Sequence, residues 1–374
     1  VKLISLRLHM VELPLVATFT TSFSTQTRRE CFLVEGQFSN DTGRTITGWG
    51  ENVALPQPFY SAEYTAGAAD VIRRWLAPAL FAADHLTAET VTHQLRHIVG
   101  HPMAKAALEM AVLDAQLRLR GQSFAEYLGA VTSTVPSGVS VGIQPTVAET
   151  LKTVANYVEQ GYARIKLKIK PGYDLEHVAA VRKEFGNQLP FQVDANAAYT
   201  LTNAPQLRRL DEYGLLLIEQ PLSEHDLRQH AQLAQQMTTP ICLDESVESA
   251  QGAADAIQLG AAAVINIKPG RVGGYLEARR IHDLARAHGV AVWCGGMLET
   301  GVGRAANAAL AALPGFTLPG DISGSDRFYA EDIVAAPIRM HDGWVDVPQG
   351  PGFGVEVDRE QLRRFSTGTV ELTP

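Results

Sequence analysis

The middle of the chain keeps a beat, and that beat limits the possible folds more than any other feature of the 374 residues. From about residue 135, short apolar runs alternate with amphipathic stretches. The runs are VPSGVSVGI (135–143), ARIKLKI (163–169), PFQVDAN (190–196), LLLIEQP (215–221), PICLDES (240–246), AAVINIKP (262–269), VAVWCGG (290–296) and FTLPGDI (316–322). One polar or small residue near the end of each marks the interval: Ser140, Lys166, Asp194, Glu219, Asp244, Lys268, Cys294 and Asp321. The successive gaps are 26, 28, 25, 25, 24, 26 and 27 residues. Strand–helix units of this length build parallel sheets. Between the runs, Thr146 and Glu149 make a capping-box pattern ahead of Val147, Leu151, Val154 and Val158. His288 and Gly289 suit the end of a helix over 274–289. Eight units predict an α/β fold, a modified TIM barrel of the (β/α)7β kind, over residues 126–322. A doubly wound open sheet is the competitor. It would usually carry a Gly-rich phosphate loop after its first strand, and no such loop is found.

The flanks read differently. Residues 1–50 suggest a β-meander and residues 61–122 suggest helices, including MAKAALEMAVLDAQLRLRG. A small α+β capping domain over residues 1–125 is therefore expected ahead of the barrel. The tail 323–374, with GWVDVPQGPGFGVEV, reads as irregular β structure returning to that domain. Segments 13–30 and 52–64 are rich in Thr, Ser, Pro and aromatic residues. They are candidate lids over a barrel mouth, or else ordinary surface loops.

Totals exclude several roles. A net charge of −8 argues against wholesale nucleic-acid binding. No apolar run is long enough to suggest a membrane span. The N-terminal VKLISLRLHMVELPL alternates like a strand and does not resemble a signal peptide. Cys31, Cys242 and Cys294 form no CxxC pair, which suggests buried thiols in a reducing, cytoplasmic setting.

The third, fourth and fifth runs each end on a carboxylate: Asp194 in VDAN, Glu219 in IEQP and Asp244 in LDES. A buried strand tolerates a carboxylate poorly unless it is paired or binds a cation. Three at the C-terminal ends of consecutive barrel strands converge on one point and call for a counter-ion. Oxygen-only ligands point to Mg²⁺, with Mn²⁺ or another divalent cation as substitute. Asn196, Gln220 and Glu245 are candidates to support those ligands. The rival reading has each acid capping a helix or pairing with a lysine.

Lysines flank the acids. In RIKLKIKPG, Lys166 and Lys168 share one face of the second run, about 7 Å apart along the strand. Lys268 ends the sixth run, which stands opposite the second in a barrel of eight. A substrate on the metal would have a lysine on either side. Neighbouring ammonium groups, the metal charge and partial burial are expected to lower a lysine pKa. A metal-bound carboxylate has a more acidic α-proton, because the metal stabilises the resulting enediolate. The pattern therefore suggests proton abstraction beside a carboxylate. Arg271, three residues beyond Lys268, would tune that lysine or bind a neighbouring acid.

These motifs resemble the enolase superfamily in its muconate lactonizing branch: KLK at 166–168, Asp194, Glu219, Asp244 and Lys268 in NIKPG. The resemblance covers most of the chain. GGMLETGVGR (295–304), TSF (21–23) and PQGPGFGV (348–355) narrow it to the o-succinylbenzoate synthase and N-succinylamino acid racemase family. The resemblance implies Mg²⁺ on Asp194, Glu219 and Asp244. It implies Lys168 as the principal acid/base and Lys166 as its electrostatic neighbour. Lys268 would stabilise the enediolate in the synthase reaction or act as second acid/base in racemisation. Ser140, Gly295, Gly296, Met297 and Phe23 are the implied substrate contacts. The synthase dehydrates 2-succinyl-6-hydroxy-2,4-cyclohexadiene-1-carboxylate for menaquinone, and the racemase moves the α-proton of an N-succinyl amino acid. The implied partner is thus a small carboxylate with a succinyl arm, and a homo-oligomer is expected.

Departures sharpen the resemblance. Mandelate-racemase-like members use a histidine late in the barrel, whereas His282 and His288 fall on a helix pattern here. Dipeptide epimerases carry D-x-D at the eighth strand, whereas GDISG has Asp321 followed by Ser323. Two rivals remain from other classes. GVSVG (138–142) fits the G-x-S-x-G nucleophile elbow of a hydrolase, but an elbow needs a helix at once after the serine. A non-catalytic metal-binding barrel would need the acids but not the lysines.

Overall fold

The computed structural model describes residues 1–21 and 24–374. Phe23, the substrate contact expected in the TSF motif, lies outside the described residues. The chain opens with three antiparallel strands, β1 (Lys2–Thr20), β2 (Thr25–Ser39) and β3 (Thr45–Asn52). Segment 13–30 is therefore mostly a hairpin and not a loop, with Phe19 opposite Gln26 and Thr20 opposite Thr25. The register shifts between Pro14 and Phe19, where a strand proline has no N–H to give.

The helix Pro102–Arg120 lies across this sheet. The sequence GWG explains how closely it packs. A Cβ on Gly48 or Gly50 would fall on the carbonyl oxygens of Ala111 and Ala107, at 2.0 Å in both cases. Both glycines face the helix, so alternation turns Trp49 and Glu51 to the other side. Leu6, Leu8, Phe32, Val34 and Phe38 fill the core between sheet and helices with Ile72, Leu76, Leu108 and Val112.

The 135–143 run splits at Ser137. β4 (Thr134–Pro136) joins a small antiparallel sheet, and β5 (Gly138–Val141) begins the barrel. The remaining strands are β6 (Arg164–Lys168), β7 (Phe191–Asp194), β8 (Ile218–Glu219), β9 (Ile241–Leu243), β10 (Val264–Ile267) and β11 (Ala291–Cys294). They form one sheet in sequence order, every neighbouring pair parallel. The eighth run makes only isolated bridges, from Phe316 to Val292 and from Gly320 to Ser137. Those bridges reach both edges of the sheet. Gly138 N–H donates to Gly320 O at 2.7 Å and Asp321 N–H to Cys294 O at 2.9 Å, so residues 316–322 close the barrel.

After the barrel, β12 (Met340–His341) and β13 (Trp344–Asp346) complete the sheet with β4. A helix, Arg359–Phe365, leads into β14 (Ser366–Leu372), which pairs antiparallel with β1. The chain's last strand thus adds to its first sheet. All three cysteines are buried and unbridged. Among the described residues no helix is long and apolar enough to cross a membrane.

Candidate active site

Strand alternation sorts the barrel. Ile165, Leu167, Val193 and Ile265 point outward into the main core. Inside, Leu217, Cys242, Val264 and Trp293 form an apolar floor. The next inward positions toward the strand ends carry the charges. In the register, Lys168 pairs with Asp194 and Asp194 with Glu219, so the three stand level on adjacent strands. Glu219 pairs with Cys242, which places Asp244 two residues further along the same face. Val264 pairs with Cys242, so Asn266 and Lys268 continue the inward row of β10.

Removing such ions from water costs several kcal/mol each, so each must find a partner. The partners are present. Lys168 Nζ lies 2.5 Å from Asp194 Oδ2 and 2.7 Å from Asn196 Oδ1. Lys166 Nζ lies 2.9 Å from Glu219, 3.4 Å from Asp194 and 2.8 Å from Asp321. It also stands 4.6 Å over the Trp293 ring. On the opposite strand, Lys268 Nζ lies 2.7 Å from Asp244 Oδ2. Arg271 contacts Asp244 Oδ1 and donates to the carbonyls of Asn266 (2.7 Å) and Val247 (3.2 Å). Lys166, Lys168 and Lys268 line one cavity with Asn196, Ser140, Gly296, Met297 and Asp321.

The neighbouring carboxylates set the electrostatics of the lysines. For Lys166 burial does push down, but Asp321, Glu219 and Asp194 together outweigh it and its pKa rises. Lys268 rises too, against its own burial, because Tyr60, Glu245 and Glu219 favour the cation. Asp194 shows the reverse side of the same pairing. Burial raises it, yet Lys168 and Lys166 hold it down at about 2. Glu219 goes up, through burial first and the neighbouring Asp194 second.

The supporting residues use unusual backbone. Asn196 and Gln220 sit at φ 41° and 35°, in the left-handed region that asparagine tolerates better than most side chains. There Asn196 N–H donates to Asp194 Oδ1 at 3.0 Å and its amide donates to Glu245 Oε1 at 3.0 Å. Gln220 Oε1 accepts from the backbone of Asp244 and Ser246. Gly295 has a packing reason. A Cβ there would lie 2.2 Å from Asn266 Oδ1 and 2.8 Å from Lys268 Cε. Gly296 and Met297 line the cavity, as Ser140 does.

Several site residues escaped sequence reasoning. Tyr60, from segment 52–64, accepts a hydrogen bond from Lys268 at 3.0 Å and one from Arg271 at 3.1 Å, with Lys268 4.7 Å over its ring. Asn266 donates to Glu219 Oε1 at 2.7 Å. Arg164 is fully buried beneath Lys166 and ion-pairs with Asp321 at 2.9 Å, in space that a side chain on Gly138 would block. The period of β6 carried a signal for Arg164, which shares the inward face of Lys166 and Lys168. Lys170 leaves that face, turning back in a bridge to Tyr173.

The hydrolase pattern does not survive. Ser140 lies within β5, its hydroxyl donates to Asp321 at 3.2 Å, and the next helix starts only at Val147.

Asp194, Glu219 and Asp244 offer only oxygen, which suits a hard divalent cation. Glu245 leaves Oε2 buried without a hydrogen bond, a further acceptor beside them. Among the described residues no three His, Cys, Asp or Glu side chains form a metal cage as they stand. The lysines and Arg271 hold the carboxylate oxygens a cation would take. The donor set fits the ion, and the ion would compete with those side chains for it.

A barrel whose mouth sets lysines from opposite strands around three buried carboxylates is that of a carboxylate-activating enzyme. Comparison with known proteins agrees. Residues 149–361 match the model "Enolase C-terminal domain-like", and residues 5–129 match "Mandelate racemase / muconate lactonizing enzyme, N-terminal domain". The chain belongs to the enolase superfamily, in the mandelate racemase and muconate lactonizing enzyme group. It is 57% identical over 373 residues to an N-succinylamino acid racemase of an Amycolatopsis species, covering 99% of each chain. It is 45% identical over 359 residues to an o-succinylbenzoate synthase of Geobacillus stearothermophilus, covering 96% of this chain and 94% of the relative. A solved enolase superfamily member from Listeria innocua superposes with a TM-score of 0.94 at 40% identity, covering 100% of this chain and 99% of the other.

Proposed function

We propose that the chain is an o-succinylbenzoate synthase, dehydrating the succinyl-substituted hydroxycyclohexadiene carboxylate, and that the same site racemises N-succinyl amino acids. The observation that carries this reading is the placement of Lys168 and Lys268 on opposite strands around one carboxylate-lined cavity. Asp194, Glu219 and Asp244 would hold Mg²⁺, with Mn²⁺ or another divalent cation able to replace it. That ion supplies Lewis-acid stabilisation of negative charge on the substrate carboxylate.

The chain's own groups do the rest. Lys168 takes the proton α to the carboxylate in both reactions. Lys166, held by Glu219 and Asp321, stays charged and attracts the carboxylate. In dehydration the C–O bond then breaks, the proton taken by Lys168 leaves with the hydroxyl as water, and Lys268 stays protonated and steadies the electron-rich intermediate from the opposite face. In racemisation Lys268 returns a proton to that face. The racemase reading has its own support: lysines on both faces are needed for it, and the 57% identical relative carries that name. Asp321 bears on the substrate's shape. It is spent on Lys166, Arg164 and Ser140, which leaves no carboxylate there for the free amine of a dipeptide.

A capping domain over 1–125, a catalytic barrel over 126–322 and a returning tail over 323–374 remain the proposed division. Phe19 and Gln26 from one cap segment and Leu55 and Tyr60 from the other line the cavity, which supports a lid role for both. A reducing, cytoplasmic setting fits the buried, unbridged thiols.

Kinetics of the purified chain with Mg²⁺ on both substrates test the proposal. Turnover of both is expected, and turnover of neither would sink it.

A further inference from the structure

The catalytic cavity has a side chamber. Phe19, Ser140, Gly296, Leu298 and Asp321 line both spaces, and the chamber adds Phe328 and Arg327. The open space is about 80 Å³ in the cavity and about 70 Å³ in the chamber, room for a few water-sized groups in each. The chamber's walls are tied together. Phe19 packs edge-on to Phe328 at 6.4 Å, Val16 N–H donates to Phe328 O at 2.9 Å, and Tyr329 donates to Leu298 O.

Arg327 is the one cation on this wall. Its guanidinium carbon lies 5.0 Å from the ring of Tyr157 and 5.0 Å from that of Phe328. Among the described residues its guanidinium makes one hydrogen bond, a long one, to Ser140 O at 3.4 Å. Its Nε is buried without a hydrogen-bond partner. No carboxylate pairs with it among the described residues. The other charged groups nearby are already engaged. Arg304 spends its terminal nitrogens on Ser323 and on Glu299 O. Glu299 accepts from Met297 N–H and from Asn307, and Asp321 pairs with Lys166 and Arg164. A guanidinium that lines a cavity with no anion paired to it is poised to accept one.

Resting on the function proposed above, we infer that Arg327 is a specificity-determining residue that takes the terminal carboxylate of the substrate's succinyl arm. The reacting carbon lies between Lys168 and Lys268. The arm runs past Ser140 and Gly296 into the chamber, along the wall that Phe19 and Phe328 form. An N-acetyl group lacks the second carboxylate and gives Arg327 nothing to bind.

The test compares kcat/KM for N-succinyl-phenylalanine and N-acetyl-phenylalanine racemisation, with Mg²⁺, in wild type, Arg327→Met and Arg327→Lys. Methionine keeps an apolar stem between the two rings and removes the charge. The inference expects wild type to prefer the succinyl substrate. Arg327→Met should lose about 10- to 100-fold on it, the scale of a charged hydrogen bond, and less than about threefold on the acetyl substrate. Arg327→Lys should recover part of the loss. Equal losses on both substrates, or no loss on either, would overturn the inference. A wild-type enzyme that turns over neither would instead overturn the racemase reading, and the inference with it.

Discussion

Buried carboxylates meet two fates in this molecule. At the barrel mouth they face cations, and Asp194 is held down at about 2 by Lys168 and Lys166 despite its burial. Where the cap meets the barrel they face only backbone and hydroxyl donors. Glu51 accepts from Thr300 N–H (2.8 Å), Thr300 Oγ1 (2.7 Å) and Gly303 N–H (2.9 Å), at the start of the helix Gly301–Ala311. Glu109 accepts from Leu276 N–H at 3.1 Å, at the start of the helix Tyr275–Ala287. Burial wins there, and Glu51 is pushed up to about 7 and Glu109 to about 8. The difference teaches what each region is for. At the mouth the lysines hold Asp194 charged, although Glu219 beside it goes up, while the junction uses carboxyl groups to hold helix N-termini and favours their neutral form.

Changes at the mouth should have the largest effects. Lys168→Ala is expected to lower kcat by about 10²- to 10⁴-fold, the usual worth of a positioned acid/base, and to lower the unfolding midpoint because buried Asp194 loses its nearest partner. Steady-state kinetics and thermal unfolding on the same preparation check both halves. Chelation should abolish activity and added Mg²⁺ restore it. Activity that survives exhaustive chelation would leave the three acids as mere partners of the lysines. Tyr60→Phe removes the oxygen that Lys268 and Arg271 share, and a roughly 10-fold fall in kcat/KM is expected.

The junction predicts a smaller effect with a distinctive sign. The Glu109 pKa lies above its unfolded value, so its contribution to stability is complete below about 4.5 and is lost as pH rises through about 8. Glu109→Gln keeps the acceptor and cannot ionise. It should raise the unfolding midpoint by about 3 °C at pH 9, change it little at pH 5, and leave kcat unchanged. A midpoint shift that is the same at both pH values would remove the contrast between the two regions.

The sequence carried the barrel's charge pattern well, because period and spacing are local properties. Asp194, Glu219, Asp244 and the three lysines all lie on inward positions of strand ends. Other features depend on partners far along the chain. Tyr60 reaches Lys268 across 208 positions, and nothing in PQPFYSAEY marks which aromatic ring would do so. The 13–30 segment looks loop-like in composition yet pairs as a hairpin, since cross-strand pairing at Leu13–Pro14 and again at Phe19–Thr20 overrides weak propensity. The eighth strand shrinks to isolated bridges around Pro319, which has no N–H for a ladder. The upward shift of Lys166 follows from Asp321 and Glu219 about 3 Å away and that of Lys268 from Tyr60 first, neighbours that a sequence does not place.

The central claim is that Lys168 and Lys268 work on opposite faces of one substrate. Exchange of the α-proton with D₂O, followed by proton NMR with Mg²⁺ present, tests it most directly. Wild type should exchange both enantiomers of an N-succinyl amino acid. Lys168→Ala and Lys268→Ala should each retain exchange with one enantiomer only, and not the same one. Variants that both lose the same enantiomer, or that still exchange both, would contradict the account.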